Sequence, residues 1–352
     1  MSNILSPRTF PRPTIESWAI ELLVAGGALT KSAEIVVDHL VASSSRGVHS
    51  HGLMRIPQYL AEMQSGYVDG LAVPTVRAES PTTATIDGGS GLGQVACQAA
   101  VEFVVDAAAK GGLAIASVRR IGHSGRIGHY AESLAAAGLV GIACGSGAAD
   151  GHRVAPFGGR EARFATNPLA FAFQPAGQAA VVGDFATSAT AEGVVRRYEQ
   201  SGLQLDHEWL LTTEGQPTTD PHVLYTKPAG TIALLGGTDL GHKGYALTLL
   251  VELLATTLGG DTPQDPQRTG SNVFLLGIRP DSGFAQRAQD LCTYIASATP
   301  IDPTRPVLLP GEPENAFRQA SSMLQIDRAT IESMRRLSLE LGVSVPHEAL
   351  DG

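Results

Sequence analysis

The sequence is poor in lysine, and it has no long apolar segment. Lysine occurs only at positions 31, 110, 227 and 243, the formal net charge is -9 over 352 residues, and lysines and arginines form no basic run. A protein that binds the nucleic-acid backbone needs a basic patch, so nucleic acid is not expected as a partner. No apolar stretch is as long as a membrane span, so no membrane partner is expected either.

Cysteine is also scarce, and its placement disfavours two common uses. Cys97, Cys144 and Cys292 are far apart, their number is odd, and no CxxC spacing occurs. This pattern argues against a disulfide framework and against a cysteine zinc site, and it predicts buried thiols in a reducing compartment. The first residues do not show the basic and then apolar segments of a secretory signal, so the expected location is the cytoplasm.

Apolar spacing predicts a mixture of helices and strands, and the length suggests about two domains. Two helices are predicted near the start, with apolar faces beginning at Ile15 and at Ala33. Further helices are predicted over 95–109, 129–137, 194–201, 244–258, 284–298 and 327–341, and strands over 85–89, 113–118, 139–144, 169–173, 179–184 and 272–278. The segment 113–144 therefore forms a predicted unit of strand, helix and strand.

One glycine-rich segment resembles a dinucleotide fingerprint and fails on inspection. Residues 145–151 read GSGAADG, one residue out of register with GxGxxG. In that motif a helix N-terminus meets the pyrophosphate, whereas Asp150 would place a carboxylate there. An ordinary polar turn after a strand is the favoured interpretation.

Two histidine segments are candidates for chemistry. Residues 49–52 read HSHG, and Arg55 follows His51 by four residues. Histidine exchanges protons near neutral pH and arginine binds carboxylates with paired hydrogen bonds, so the pattern suits a small acid. The second segment, GHSGRIGHY at 122–130, has glycines that allow close backbone approach and precedes a predicted helix whose N–H groups could meet phosphate. For both, structural or surface histidines remain the alternative interpretation.

Two further patterns point to ligands. Small polar residues follow predicted strands at 164–168 and 184–188, where ligands commonly bind at the ends of sheets. Lys243 stands at the predicted start of an apolar helix. A positive charge there opposes the helix dipole, so the sequence predicts an anionic ligand beside it.

Together these motifs resemble the type-2 malate/L-lactate dehydrogenase family over nearly the whole chain. The matching segments are HSHG at 49–52 with Arg55, Pro57 and Tyr59, the loop 122–132, APFGG at 155–159, TNP at 166–168, DFATS at 184–188, HKGY at 242–245 and LPGE at 309–312. The loop from His123 to Gly128 is most similar to the hydroxycarboxylate dehydrogenase B branch, although Ser124 departs from it. Arg55 agrees instead with the malate and lactate members.

The resemblance implies an α/β (α+β) fold that is not a Rossmann fold, with a central mixed sheet, flanking helices and a helical part built from both chain ends. It implies a helical domain of residues 1–80 and 280–352 around a cofactor-binding domain of residues 81–279. It also implies a homodimer that uses NAD or NADP to reduce 2-oxo acids.

The resemblance also implies functional residues. The catalytic set is His51, His123 and Arg55, and either histidine could donate the proton. Cofactor contacts are expected from His51, Gly125, Arg126, Ile127, Val182, Gly183, Asp184, Phe185, Ala186, His242, Lys243, Asn272, Gly311, Glu312, Pro313 and Glu314. No metal is expected.

Three alternatives to a 2-oxo acid dehydrogenase stay open at this point. Some relatives reduce cyclic imine acids such as piperideine-2-carboxylate. The histidines at 49, 51, 123 and 129 could instead bind zinc in a hydrolase. The chain could also bind the dinucleotide without turnover. The choice between NAD and NADP and the identity of the acid are likewise open.

Overall fold

The computed structural model describes residues 8–262, 270–317 and 323–350. In these ranges the strands are β1 (Arg8–Pro11), β2 (Thr75–Ser80), β3 (Thr83–Gly91), β4 (Leu113–Ile121), β5 (Val140–Gly147), β6 (Pro168–Phe173), β7 (Val181–Ala186), β8 (Leu210–Leu211), β9 (Pro217–Thr218), β10 (Thr231–Ile232), β11 (Ser271–Ile278) and β12 (Met323–Ile326). The helices there are α1 (Arg12–Ala25), α2 (Thr30–Ser44), α3 (Ile56–Gln64), α4 (Gly93–Gly111), α5 (Ile127–Ala136), α6 (Glu192–Ser201), α7 (Gly237–Glu252), α8 (Phe284–Ala296), α9 (Glu312–Phe317), α10 (Arg328–Leu341) and α11 (His347–Leu350).

The central sheet of the described chain has seven strands in the order β2-β3-β4-β11-β5-β6-β7. β3 and β4 are parallel, and the other neighbouring pairs are antiparallel. The predicted mixed sheet is therefore confirmed. The predicted unit of strand, helix and strand forms as β4, α5 and β5, but β11 lies between the two strands. Phe274 of β11 is opposite Ser117 on one side and Cys144 on the other.

Helices cover both faces of this sheet. Successive residues of β11 point to opposite sides, and apolar residues on both sides pack against helices. Val273 and Leu275 pack in the core beneath α4 and α5. Phe274 packs on the other side, against the end of α7 and the π-helical turn Leu253–Thr257. The predicted buried thiols are confirmed, since Cys97, Cys144 and Cys292 are all buried and free.

The two ends of the chain pack together. β1 pairs with β12, and helices α1, α2, α3 and α10 share one apolar core. Trp18 of α1 is buried, and its indole Nε1 donates a 2.8 Å hydrogen bond to Oγ of Ser338 on α10. The helical part built from both ends is thus present. The division into domains at 80/81 and 279/280 stays a prediction, and β2 joins the central sheet.

Loss of this hydrogen bond between the chain ends is expected to destabilise the fold. In Ser338→Ala the indole N–H of Trp18 would stay buried without an acceptor, so the free energy of unfolding should fall by about 1–3 kcal/mol. Urea unfolding followed by tryptophan fluorescence measures it. Ser344→Ala, at an exposed serine just beyond α10, is the matched control. Equal midpoints for the two variants would contradict the prediction.

One predicted helix boundary is wrong, and the correct boundary changes the position of Lys243 in the helix. The apolar helix predicted over 244–258 begins at Gly237, after Gly236 with φ 97°. Lys243 therefore lies beyond the first helical turn, where the dipole of the helix end no longer acts on it. The position of Lys243 in α7 is thus no evidence for an anionic ligand.

Candidate active site

Two imidazoles from distant parts of the chain lie side by side. His51 ends the short 3-10 turn His49–His51 between α2 and α3, and His123 follows the end of β4. Their ring centroids are 5.5 Å apart, and the rings are nearly parallel at 26°. Gly52 permits this turn, because a Cβ there would lie 2.2 Å from Oγ of Ser44. Nδ1 of His51 is 3.0 Å from the hydroxyl of Ser50.

A chain of hydrogen bonds behind His123 fixes its orientation. Nε2 of buried Gln94 donates to the hydroxyl of Tyr59 over 2.7 Å, and that hydroxyl lies 2.8 Å from Nδ1 of His123. The hydroxyl of Tyr59 thus engages Nδ1 of His123, which leaves Nε2 of the ring available to a ligand.

Both imidazoles are neutral at physiological pH. Burial, with a smaller contribution from the charges of Arg55 and Arg126, lowers the pKa of His51 to about 3. Burial likewise holds the pKa of His123 well below its ordinary value, with Arg55 and then His51 adding to the effect. The nearby guanidinium of Arg55 is thus a shared cause, so an anion bound to Arg55 would favour protonation of both rings.

Arg55 stands immediately before α3 and is held by two hydrogen bonds. Its Nε donates to the carbonyl oxygen of Ser50 over 2.6 Å, and its Nη1 donates to Oε1 of Gln58 over 2.6 Å. These bonds fix the guanidinium beside the imidazoles.

The two imidazoles open on a cavity of about 290 Å³, which we call the imidazole cavity. It extends from His51 and His123 to Glu62 of α3 and to Asp150, with Thr166 on another side. The glycine pair at 145 and 147, interpreted above as an ordinary turn, also lines this cavity.

A second cavity of about 290 Å³ meets the first at His51, Gly125, Thr166 and Pro168. We call it the arginine cavity, because Arg46 and Arg126 line it. The two cavities form a continuous cleft with His51 at the junction. The predicted cofactor residues that line the arginine cavity are His51, Gly125, Arg126, Ile127, Val182, Asp184, Phe185, Ala186, Gly311 and Glu314.

The loop before α5 is held from behind by a residue that the sequence analysis missed. His39 of α2 is buried, and its Nε2 accepts the backbone N–H of Arg126 over 2.8 Å. Gly125 has φ 78°, and a Cβ there would lie 2.3 Å from the same nitrogen. Only glycine therefore permits this contact.

The expected phosphate site at the start of α5 is already occupied by protein groups. The N–H of Gly128 donates to Oδ2 of Asp184 over 3.1 Å. The guanidinium of Arg126 makes two hydrogen bonds to Glu132, at 3.1 and 2.8 Å, and Arg46 lies 3.0 Å from the same carboxylate. The Nε of Arg126 is buried and has no hydrogen-bond partner among the described residues. Burial raises the pKa of Asp184, although Arg126 opposes this.

Six of the predicted cofactor residues lie away from the arginine cavity in the described chain. Gly183 packs against the ring of Phe171, and Oε2 of Glu312 accepts the N–H of Leu309. The amide of Asn272 donates to Asp261 over 2.7 Å. His242 and Lys243 are exposed on α7. Pro313 is the remaining member of the set, and neither cavity includes it.

Sequence reasoning missed Gln94, His39 and Glu62, and it gave Tyr59 no role. A signal existed for Tyr59 and Glu62, because Arg55, Tyr59 and Glu62 share one helical face at spacings of four and three. No local signal marked Gln94 or His39, since Gln94 of α4 acts on Tyr59 of α3 and His39 of α2 acts on the loop before α5.

The fold and this cleft define a class of protein that comparison with known proteins identifies. The sequence profile described as malate/L-lactate dehydrogenase matches residues 10–335. The L-lactate dehydrogenase of Cupriavidus necator is 34% identical over 340 residues, covering 93% of this chain and 96% of that protein. Hydroxycarboxylate dehydrogenase B of Escherichia coli K12 is 31% identical, covering 98% and 97%. The crystal structure of malate dehydrogenase from Entamoeba histolytica superposes with a TM-score of 0.88 at 26% identity, covering 97% of this chain and 99% of that chain.

The protein is therefore an oxidoreductase of the dehydrogenase type. The chain belongs to the malate/L-lactate dehydrogenase family, and the resemblance inferred from its motifs is confirmed.

Among the residues that the structure describes, no helix is both long and apolar enough to cross a membrane. They also contain no group of three or more histidine, cysteine, aspartate or glutamate residues that could hold a metal ion.

Proposed function

We propose that this dehydrogenase reduces a small 2-oxo acid, or oxidises the matching 2-hydroxy acid, where the two cavities meet. The observation that carries the proposal is the stacked pair His51 and His123, 5.5 Å apart beside Arg55 in a continuous cleft. A carboxylate anchor and a proton donor within one small cavity are the groups that this reaction needs. The reduced form of a nicotinamide cofactor, NAD or NADP, would supply the hydride for reduction of the 2-oxo acid.

The arginine cavity has features that suit the cofactor. It is lined by two arginines, by backbone at glycines, by apolar side chains and by the carboxylates of Glu132, Asp184 and Glu314, and it shares His51 with the imidazole cavity. The buried and unpartnered Nε of Arg126 offers a donor to a polar group of a ligand. Arg46, Gly125, Arg126 and Gly311 would hold the dinucleotide, with its reacting end toward His51.

Three residues in or beside the imidazole cavity would have different roles. Arg55 would bind the substrate carboxylate, since part of its guanidinium is free of the bonds to Ser50 and Gln58. His123, protonated once the substrate carboxylate offsets the charge of Arg55, would give the proton on Nε2 to the substrate oxygen and return to the neutral imidazole, held at Nδ1 by Tyr59. His51 lines both cavities and would position the reacting groups against each other.

The experiment that tests this function is a panel of pyruvate, 2-oxobutanoate, oxaloacetate and piperideine-2-carboxylate, each with NADH and with NADPH. We expect turnover of at least one 2-oxo acid, and the two cofactor arms decide between NAD and NADP. Turnover of the cyclic imine alone would replace the proposal. Binding of NADH without oxidation across the panel would mean a protein that has lost catalysis.

Arg55→Met is expected to lower kcat/KM for a 2-oxo acid by about 10²–10³. Two charge-assisted hydrogen bonds to the carboxylate are worth about 3–4 kcal/mol together, and each 1.4 kcal/mol is about tenfold. Steady-state kinetics measure the loss, and Arg336→Met, at an exposed arginine on α10, is the matched control. Full kcat/KM in Arg55→Met would remove the residue from the substrate site.

We also propose that the protein is a homodimer through the outer face of α7. His242, Lys243, Ala246, Leu249, Leu250 and Leu253 are exposed on this face at helical spacing. Leu249 and Leu253 are each 53% exposed, an apolar surface of the kind that a second copy covers. In such a dimer, His242 and Lys243 would complete the cofactor site of the partner.

Leu250→Glu should therefore convert the dimer to a monomer and weaken NADH binding at least tenfold. A buried unpaired carboxylate is costly in an apolar interface. Analytical ultracentrifugation and NADH fluorescence measure the two effects. Leu339→Glu is the control, because Leu339 is an 82% exposed leucine on α10. A wild-type monomer, or a Leu250→Glu dimer with unchanged affinity, would contradict the proposal.

A further inference from the structure

The far end of the imidazole cavity carries negative charge. Glu62 lies in the last turns of α3, seven residues beyond Arg55, which corresponds to about 10 Å along a helix. Asp150 approaches the same cavity from the segment after β5. The lining of the cavity thus combines two imidazoles with two carboxylates and includes no lysine or arginine among the described residues, while Arg55 is hydrogen-bonded to the lining residue Gln58.

The bonds of these carboxylates leave acceptor oxygens toward the cavity. Oε1 of Glu62 accepts from Nε2 of Gln58 over 2.7 Å, whereas Oε2 accepts no hydrogen bond among the described residues. Oδ2 of Asp150 accepts from the hydroxyl of Tyr67 over 3.1 Å, and Tyr67 in turn accepts the N–H of Gly270. Each carboxylate is therefore held in place through one oxygen, and the other oxygen can serve a ligand.

The charge of Asp150 acts on Glu62. Burial raises the pKa of Glu62, and the charge of Asp150 adds to this increase while Gln58 and Arg55 oppose it. Both carboxylates line the same cavity. A further anion placed between them would be repelled, whereas a hydrogen-bond donor would be attracted.

We propose that Glu62 and Asp150 select 2-oxo acids whose distal end donates hydrogen bonds, such as a hydroxyl or a cationic group, and exclude a second carboxylate. The inference rests on the proposed function, because it assumes that Arg55 binds the 2-oxo acid carboxylate. It predicts that this chain has a low kcat/KM for dicarboxylates such as oxaloacetate. Gln58, which connects Arg55 to Glu62, sets the spacing between the two ends.

The test compares four 2-oxo acids: 2-oxobutanoate, 4-hydroxy-2-oxobutanoate, oxaloacetate and 5-guanidino-2-oxopentanoate. The first three match in chain length and differ in the distal group, and the fourth tests a cation. In the wild type, kcat/KM for the hydroxy acid should exceed that for oxaloacetate at least tenfold. This ratio should fall as the medium is acidified, because Glu62, whose pKa is raised by burial, becomes neutral in that direction.

Glu62→Gln and Asp150→Asn keep the shape of each side chain and remove its charge. Each should lower the ratio of hydroxy acid to oxaloacetate at least fivefold, and the double variant should lower it further. Asp290→Asn, at an exposed aspartate on α8, is the matched control and should leave the ratio unchanged. Thermal unfolding of each variant separates a change in selectivity from a loss of fold.

The outcomes distinguish failure of the selectivity from failure of the proposed function. Equal use of oxaloacetate and the hydroxy acid by the wild type, or a ratio that neither variant changes, overturns the selectivity. Reduction of 2-oxobutanoate would in that case leave the proposed function intact. If none of the four acids is reduced with either cofactor, the proposed function fails and the selectivity fails with it.

Discussion

His123→Ala is expected to lower kcat for 2-oxo acid reduction by about 10²–10⁴, the usual contribution of a positioned proton donor. The reason is the hydrogen-bond chain from Gln94 through Tyr59, which holds His123 at Nδ1 and leaves its Nε2 for the substrate. Single-turnover kinetics at saturating NADH measure the chemical step. NADH fluorescence titration should give an affinity within about twofold of the wild type, because His123 lines only the imidazole cavity.

Two companion variants distinguish the roles of the residues. Tyr59→Phe keeps the ring and removes the hydroxyl that orients His123, so kcat should fall by about ten- to a hundredfold with little change in NADH affinity. His51→Ala should weaken NADH binding as well as turnover, since His51 lines both cavities. If His51→Ala abolished turnover while His123→Ala kept it, the proton role would belong to His51.

Acid is expected to destabilise this protein steeply between pH 6.5 and pH 4.5. Burial lowers the pKa of His51 to about 3 and that of His129 to about 4, and it also lowers the pKa values of His39 and His123. Unfolded histidine titrates near pH 6.5. Below that pH the unfolded chain binds protons that the folded chain does not, so the free energy of unfolding falls as pH falls.

The expected loss is about 1–2 kcal/mol at pH 5 for each of His51 and His129. Urea midpoints between pH 7.5 and 4.5 measure it, and the slope against pH counts the protons taken up. The variant His129→Asn should reduce that count by about one. A midpoint that does not change between pH 7 and pH 5 would contradict the neutral state of these buried imidazoles.

Several parts of the fold follow directly from local sequence. The unit β4, α5 and β5 forms where apolar runs and helical spacing predicted it, because each element buries one continuous apolar face. The position of β11 between β4 and β5 was not predictable, since pairing depends on a strand more than 120 residues away along the chain. The start of α7 was missed because glycines at 236 and 237 look like a turn.

The candidate site likewise has residues that the sequence predicts and residues that it does not. The motifs around His51, Arg55 and His123 could be found in the sequence, because histidine and arginine are rare enough there to stand out. The contribution of Gln94 could not, since a buried glutamine in a helix has no local signature. The hydrogen bond from the N–H of Gly128 at the start of α5 to Asp184 was not predictable for a related reason, because Asp184 is 56 residues away.

The sequence by itself determined the class of chemistry and the apolar faces, because residue types and their spacing are local properties. Tertiary structure alone decided that Tyr59 contacts His123, where the cleft runs, and that Glu62 and Asp150 share a cavity with the histidines. Those facts depend on the packing of α2, α3 and α4 against the loop after β4. Contacts between segments so far apart in the chain are set by the whole core, and no short stretch of residues specifies them.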